Sequence, residues 1–325
     1  MNEMNEKGTI LEVRDLVKHF PVKGRSGNVV RAVDGVSFHV PRGSTFGLVG
    51  ESGCGKSTCA RTIIRIYDPT SGRIIVDGEE IGTKKRKELQ PLRRKMQMIF
   101  QDPYSSLNAR MTVYDIIAEP LRAHGVGRDK RETDELVYGM LNRVGLDRGH
   151  ADRYAHEFSG GQRQRIGVAR ALIIHPEIVI CDEPISALDV SIQAQVVNLL
   201  KEIQEERALT YLFIAHDLSM VRYMSDVIGV MYLGRMVEIC KASEIYRTPL
   251  HPYTQGLLSA IPVPSPKLAR EKTVHSMEGD IPSPISPPSG CHFHTRCRYA
   301  SSMCSEIEPT LKPLDAGHSV ACHLY

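Results

Sequence analysis

An α/β fold built around a parallel sheet is predicted by three features of the chain. An apolar run, "STFGLVG", residues 44 to 50, enters a glycine-rich turn and then a helix, "KSTCARTIIRI". Further on, "EIVIC", "IQAQVVNLLKEIQEER" and "TYLFIAH" follow one another as strand, helix and strand, the order of a parallel sheet. The hydrophobic content of 42% over 325 residues is enough to bury a large core.

The elements can be justified in order. From "ILEVRDLVKHF" through "VVRAVDGVSFHV" apolar residues tend to alternate, with Val36, Phe38 and Val40 on one side, which predicts strands. "GRIIVDG" is a further strand closed by an Asp-Gly turn. Between about residues 102 and 175 the apolar spacing becomes helical, as in "VYDIIAEPLRA" and "DELVYGMLNRVG", so a helical subdomain is expected there. Strand signals return in "EIVIC", "TYLFIAH" and "DVIGVMYLGRMVEIC". After Thr248 nine prolines fall within 40 residues, so residues 249–325 are expected as an extended C-terminal extension on a domain of residues 1–248. One short helix is expected in it, at "HPYTQGLLSAI", with Pro252 in the first turn.

The formal net charge of +3 makes no case for nucleic acid as the main partner. "KKRKELQPLRRK", residues 84 to 95, reads as a solvated helical face near a sheet edge. No secretory signal precedes the first strand, and no run of about 18 apolar residues occurs, so a cytosolic chain that does not itself span a membrane is expected. There its eight cysteines should be thiols or metal ligands. Cys54, Cys59, Cys181 and Cys240 sit in apolar or glycine-rich segments and read as small buried residues, whereas Cys291, Cys297, Cys304 and Cys322 crowd the C-terminal end.

Three motifs carry chemistry. "GESGCGKST", residues 50 to 58, fits the P-loop pattern in its required strand and helix context. Gly50, Gly53 and Gly55 let amides turn toward phosphate oxygens, with Glu51, Ser52, Cys54 and Thr58 completing the loop. Lys56 can reach the β- and γ-phosphates, and the Ser57 hydroxyl can ligate magnesium. "IVICDEP" ends an apolar strand on two carboxylates: Asp182 is placed to hold magnesium and Glu183 to activate water. "FSGGQRQR" is a second glycine-rich turn opening a helix, with Ser159 as cap and Gly160, Gly161 and Gln162 offering a further phosphate site.

In this order the motifs resemble the ATP-binding-cassette (ABC) family over essentially the whole chain, with "SGGQ" as the family signature. The resemblance implies an ABC-type nucleotide-binding domain with an antiparallel β subdomain, ATP and Mg2+ as ligands, and ATP hydrolysis. It also implies two cassettes packed head to tail, each signature loop closing on the other's ATP. Gln101, in "MIFQDP", matches the glutamine that senses magnesium and the attacking water. His216, in "FIAHDL", matches the switch histidine, and Asp189, in "SALDV", the aspartate that communicates across the dimer. Phe20 matches the adenine platform, with His19 and Val22 as neighbours. Phe158 departs from the leucine usual before "SGGQ" but remains bulky and apolar.

"IFQDPYSSLNARMTVYDIIAEPL", "RTPLHPYTQGLLSAIP" and the cysteine-bearing tail resemble the ATPase subunits of oligopeptide and dipeptide importers, most of all the second of their two ATPases. This implies import of peptides, with nickel or another small solute as an alternative. The implied partners are two transmembrane permease subunits, a sister ATPase in a heterodimer and, indirectly, an extracytoplasmic peptide-binding protein, with the chain peripheral on the cytoplasmic face of the cell membrane. A soluble cassette ATPase of DNA repair or ribosome function is the reading from another class; it would bring a second cassette or a long coiled coil, and this chain has neither.

The cysteine spacing C-x5-C-x6-C-x17-C is wider than in zinc ribbons or bacterial ferredoxins. Four thiolates suit an iron–sulfur cluster or a structural zinc, the latter helped by His292, His294, His318 or His323. The resemblance points to a [4Fe-4S] cluster on Cys291, Cys297, Cys304 and Cys322, stapling an extension that lacks a core of its own.

Overall fold

The computed structural model describes residues 8–22, 24, 28–127, 129–186, 188–261, 277, 279–315 and 317–325. Prolines 262, 264 and 266 of the expected connector lie outside the described residues. The chain forms two compact units.

One unit is built mainly from Pro41–Ser44 and Thr83–Ile214. Its strands Met96–Ile99, Ile178–Asp182 and Thr210–Ile214 pair in parallel in that order, with Met96 opposite Ile178 and Asp182 opposite Ile214. The last two strands are buried at every residue, as continuous apolar runs in a covered parallel sheet should be. The helix Val190–Arg207 makes the crossover between them. Inserted in this unit are the helices Pro103–Ser106, Val113–His124, Lys130–Arg143 and Gly160–Leu172, within the interval expected to be helical. Asp102, Thr112, Asp129 and Ser159 cap them by accepting a main-chain N–H in the first turn. Val113, Ile117 and Leu121 of one helix and Val137 and Leu141 of the next are fully buried, the i, i+4 stripe of a core-facing helix. The basic segment ends in the helix Gln90–Lys95; Lys87, Arg94 and Lys95 join His124, His175 and Glu177 around an open recess of about 600 Å³.

The other unit contains Thr9–Val40, Thr45–Gly82 and Ala215–Tyr325. An antiparallel sheet in the order Val29–Pro41, Thr9–Pro21, Ser71–Val76, Glu79–Glu80 buries Val36, Phe38 and Val40, as the alternation predicts. Phe38 stacks on Phe46 at 4.5 Å. Thr45–Val49 pairs in parallel with Val227–Tyr232, and Arg235–Lys241 continues antiparallel.

The C-terminal extension is more structured than an extended chain. Its helix Pro252–Ser259 starts at the expected proline, with the His251 Nδ1 accepting the Tyr253 N–H at 3.1 Å. His318–Val320 pairs with Arg235–Lys241, Glu238 opposite Val320, and Lys312–Asp315 adds a further strand. Phe293, Val320 and Ala321 are buried, and Phe293 meets Tyr232 edge-on at 5.2 Å. The compact units therefore cut across a boundary after residue 248: the extension buries its apolar residues against the strands that precede it.

Candidate functional site

In the unit holding Thr45–Gly82, the buried strand Thr45–Val49 runs into the loop of residues 50 to 55, and the helix Lys56–Ile63 follows. Gly50 (φ 154°) and Gly55 (φ 108°) are required by close approach: a Cβ would meet the Met231 carbonyl oxygen at 2.2 Å and that of Ala32 at 2.0 Å. Gly53 (φ 79°) turns in open space beside exposed Ser52. The Lys56 ammonium is buried and donates to the carbonyls of Gly50 (2.8 Å) and Glu51 (3.0 Å), so the loop wraps its own cation. Ser57 and Thr58 are half-buried in the first turn of the helix. Cys54 is buried beside Lys56, and burial raises its thiol above the ordinary range.

Glu51 is tied to the C-terminal extension. Its N–H donates to the Tyr253 hydroxyl at 2.7 Å, and its carboxylate takes both Arg296 terminal nitrogens, at 2.8 and 3.1 Å. Glu51 is a residue of the glycine-rich loop motif, whereas Tyr253 and Arg296 belong to no motif. Their signal is slight: a tyrosine after His-Pro, and an arginine directly before Cys297.

Phe20, at the end of Thr9–Pro21, is half-buried with its ring edge-on to Tyr67 at 5.3 Å and the Lys18 ammonium 4.8 Å from its centroid. His19 is engaged by Asp34 at 2.9 Å, and the Val22 N–H by the Asn28 carbonyl. His216 follows the strand Thr210–Ile214 and is exposed.

In the other unit, Ile178–Asp182 delivers Asp182, fully buried, and then Glu183, half-buried. Glu183 adopts φ 47°, uncommon for a residue with a Cβ. The turn is held by the Glu183 N–H donating to the Ile214 carbonyl (2.9 Å) and by its own carbonyl accepting from Ser186. Gln101, just past Met96–Ile99, donates its side-chain amide to the Glu183 carboxylate at 2.7 Å. Parallel strand neighbours thus bring together two residues 82 apart in sequence.

The "SGGQ" turn opens the helix Gly160–Leu172 with a reciprocal cap: the Ser159 Oγ accepts from the Gln162 N–H, and the Gln162 Oε1 from the Ser159 N–H. Ser159 is exposed, and a Cβ on Gly161 would meet Ile192 at 2.5 Å. Phe158 is buried, with the Arg153 guanidinium 4.9 Å from its ring centroid. Asp189 is exposed and begins the helix Val190–Arg207, its carbonyl accepting the N–H groups of Ile192 and Gln193.

Cys291, Cys297, Cys304 and Cys322 are half-buried and near enough to influence one another's ionisation. Burial, with the thiols of Cys304, Cys322 and Cys297 adding to it, pushes Cys291 up to about 11. Burial chiefly raises Cys297 and Cys322 as well. The ligand atoms of Glu238, Cys240 and His318 all lie within 4.8 Å of one another. The four histidines are turned to oxygen acceptors: His292 to the Leu233 carbonyl, His294 to that of Cys291, His323 to that of Ile307 and His318 to Glu238. The first four cysteines are buried, with burial raising Cys59 and Cys240 each to about 12.

Among the described residues, no helix is long and apolar enough to cross a membrane.

The family model described as ABC transporter matches residues 33–186, and the one described as Oligopeptide/dipeptide transporter, C-terminal region, matches residues 237–304. The chain is 54% identical to the oligopeptide transport ATP-binding protein AppF of Bacillus subtilis, over 98% of each chain. It is 50% identical to the oligopeptide transport ATP-binding protein OppF of Escherichia coli, over 99% of this chain and 98% of that one. Among solved structures it is similar to a dimeric ATP-binding cassette in a post-hydrolysis state bound to ADP and phosphate, with TM-score 0.66, 26% identity and coverage of 72% of this chain and 99% of that one. CbiO1 from Clostridium perfringens, part of an ABC transporter complex, gives TM-score 0.63 and 29% identity over 73% of this chain and 90% of that one. The chain belongs to the ABC transporter family of ATP-binding proteins and carries the C-terminal region of its oligopeptide and dipeptide branch.

Proposed function

We propose that this chain is the ATPase subunit that powers import of oligopeptides or dipeptides through two transmembrane permease subunits. A sister ATPase completes the dimer, an extracytoplasmic binding protein supplies the peptide, and the chain sits on the cytoplasmic face of the membrane. The observation that supports this reading is one chain matching both the ABC transporter family over residues 33–186 and the oligopeptide/dipeptide transporter C-terminal region over residues 237–304.

In this reading residues 50 to 58 cradle the ATP phosphates, Lys56 exchanging its loop carbonyls for phosphate oxygens, while Phe20 stacks on adenine. Ser57, Asp182 and Gln101 would hold magnesium, which would supply positive charge beside the phosphates. Glu183 takes the proton of the attacking water, with its carboxylate oriented by Gln101, and His216 contacts the γ-phosphate. Ser159 to Gln162 close on the nucleotide of the facing cassette, and Asp189 carries the state of one site to the other. The tail cysteines, half-buried and within electrostatic reach of one another, would hold a [4Fe-4S] cluster that staples the extension.

The test is peptide uptake in cells lacking this chain, complemented with the wild type or with Lys56→Ala. The wild type alone should restore uptake of labelled di- to pentapeptides. Undiminished peptide uptake in the deletion strain, with nickel uptake lost instead, would overturn the substrate assignment.

A further inference from the structure

We propose that the C-terminal extension is part of the nucleotide site: Arg296 and Tyr253 act on Glu51 as positioning residues that hold the P-loop ready for phosphate. This rests on the reading of residues 50 to 58 as the ATP site.

Glu51 poses an electrostatic problem. A carboxylate in the second position of a phosphate-binding loop places negative charge where a nucleoside triphosphate brings more, and like charges at contact distance repel strongly when water is scarce. Arg296 answers it with a two-pronged ion pair, Nη1 to Oε2 at 2.8 Å and Nη2 to Oε1 at 3.1 Å. The pair is shielded, with side-chain exposures of 7% for Arg296 and 20% for Glu51, so salt screens it little.

The main chain of the same residue is held as well. Tyr253, fully buried, accepts the Glu51 N–H, and the Glu51 carbonyl accepts from the Lys56 ammonium. The extension thus reaches the phosphate-binding lysine through one intervening residue. With its carboxylate paired and its amide bonded, Glu51 has little freedom to swing into the phosphate space, and the loop lysine keeps its position. Phosphate binding then needs less reorganisation of the loop, which is the thermodynamic meaning of positioning here.

Both anchors are themselves fixed. Tyr253 meets Tyr232 edge-on at 4.6 Å. The Arg296 guanidinium lies 5.9 Å from the Tyr232 ring centroid and 6.0 Å from that of Phe293, and its N–H donates to the Phe293 carbonyl.

The experiment is a double-mutant cycle on the full chain, with MgATP affinity read by titration against a fluorescent ATP analogue. Arg296→Ala should weaken MgATP binding about ten-fold or more in the wild-type background. In the Glu51→Gln background, where no carboxylate needs neutralising, it should change affinity less than about two-fold. Arg296→Lys should lie between, since an ammonium keeps the charge but loses the fork. Tyr253→Phe should weaken binding several-fold by removing the acceptor of the Glu51 N–H.

An Arg296→Ala effect of the same size in both backgrounds would overturn the proposal, because the arginine would then only hold the extension together. Wild-type affinity in Arg296→Ala would overturn it too. Should Arg296→Ala fail to fold, Arg296→Lys is carried through the same cycle and decides by the same criterion. Absence of MgATP binding by the wild type would defeat the underlying ATP-site reading instead, a separable outcome.

Discussion

Gln101 and Glu183 face each other across neighbouring parallel strands, the glutamine amide donating to the carboxylate at 2.7 Å. Glu183 sits on a backbone of φ 47°. If Glu183 is the general base, Glu183→Gln should lower ATP turnover about 100-fold or more while MgATP binding stays within about three-fold. Gln101→Ala, which frees the carboxylate to rotate, should cost roughly ten-fold in turnover. Near wild-type turnover in Glu183→Gln would require another base.

The catalytic motifs were legible in the sequence because each is a short, contiguous string whose backbone geometry follows from its glycines and carboxylates. The helices between Pro103 and Leu172 were legible from apolar spacing and caps. The extension was not, for a physical reason. Proline density predicts an extended chain, but residues 277 to 325 have no long apolar run of their own and obtain their burial from Tyr232, Tyr253 and the edge of Arg235–Lys241. Partners such as Glu51 and Arg296, 245 residues apart, leave no local pattern.

Gly55→Ala tests the loop geometry itself. Its Cβ would lie 2.0 Å from the Ala32 carbonyl oxygen, a backbone atom that cannot rotate away, at a φ of 108° that L residues avoid. The helix bearing Lys56 and Ser57 starts at the next residue, so the strain falls on the phosphate-binding turn. MgATP affinity should drop at least about ten-fold, with a destabilisation of roughly 2 to 3 kcal/mol. A variant that binds MgATP as the wild type does would show that the loop adopts another conformation in solution.

The His251 and Glu238 pair predicts an acid sensitivity of the unit that holds the extension. His251 is buried, and burial lowers its imidazole from 6.5 to about 4, only partly offset by Glu238. Its Nδ1 accepts the Tyr253 N–H, which requires the unprotonated form. Above pH 6.5 the imidazole is neutral folded or unfolded and contributes nothing. As pH falls from 6.5 toward 4 only the unfolded chain takes the proton, so stability declines, by at most about 3 kcal/mol. Burial tends to raise Glu238, but bonds from His318, Thr254 and the Leu250 and His251 amides outweigh it, so its contribution is lost only below the ordinary carboxylate range. His292, lowered by burial in the same unit, has the same sign as His251. The readout is therefore a difference: the loss of denaturant midpoint between pH 7.5 and pH 5 should be smaller in His251→Asn, which keeps a capping side chain, than in the wild type. Equal losses would remove His251 from the account.

The tail cysteines give the most direct chemical prediction. Burial raises Cys291, Cys297 and Cys322, so a metal centre held by them must displace their protons and binds more tightly as pH rises. Anaerobic purification should give about four irons and four acid-labile sulfides per chain, with broad visible absorption. Cys297→Ser should lose most of that iron and make the extension susceptible to limited proteolysis, since residues 291 to 322 would lose their staple while the strand His318–Val320 retains only a short pairing with Arg235–Lys241. A single zinc per chain would replace the cluster by a tetrahedral staple. Neither metal, with a protease-resistant tail, would show that pairing and the burial of Phe293 hold the extension unaided, and the cysteines would then need a different explanation.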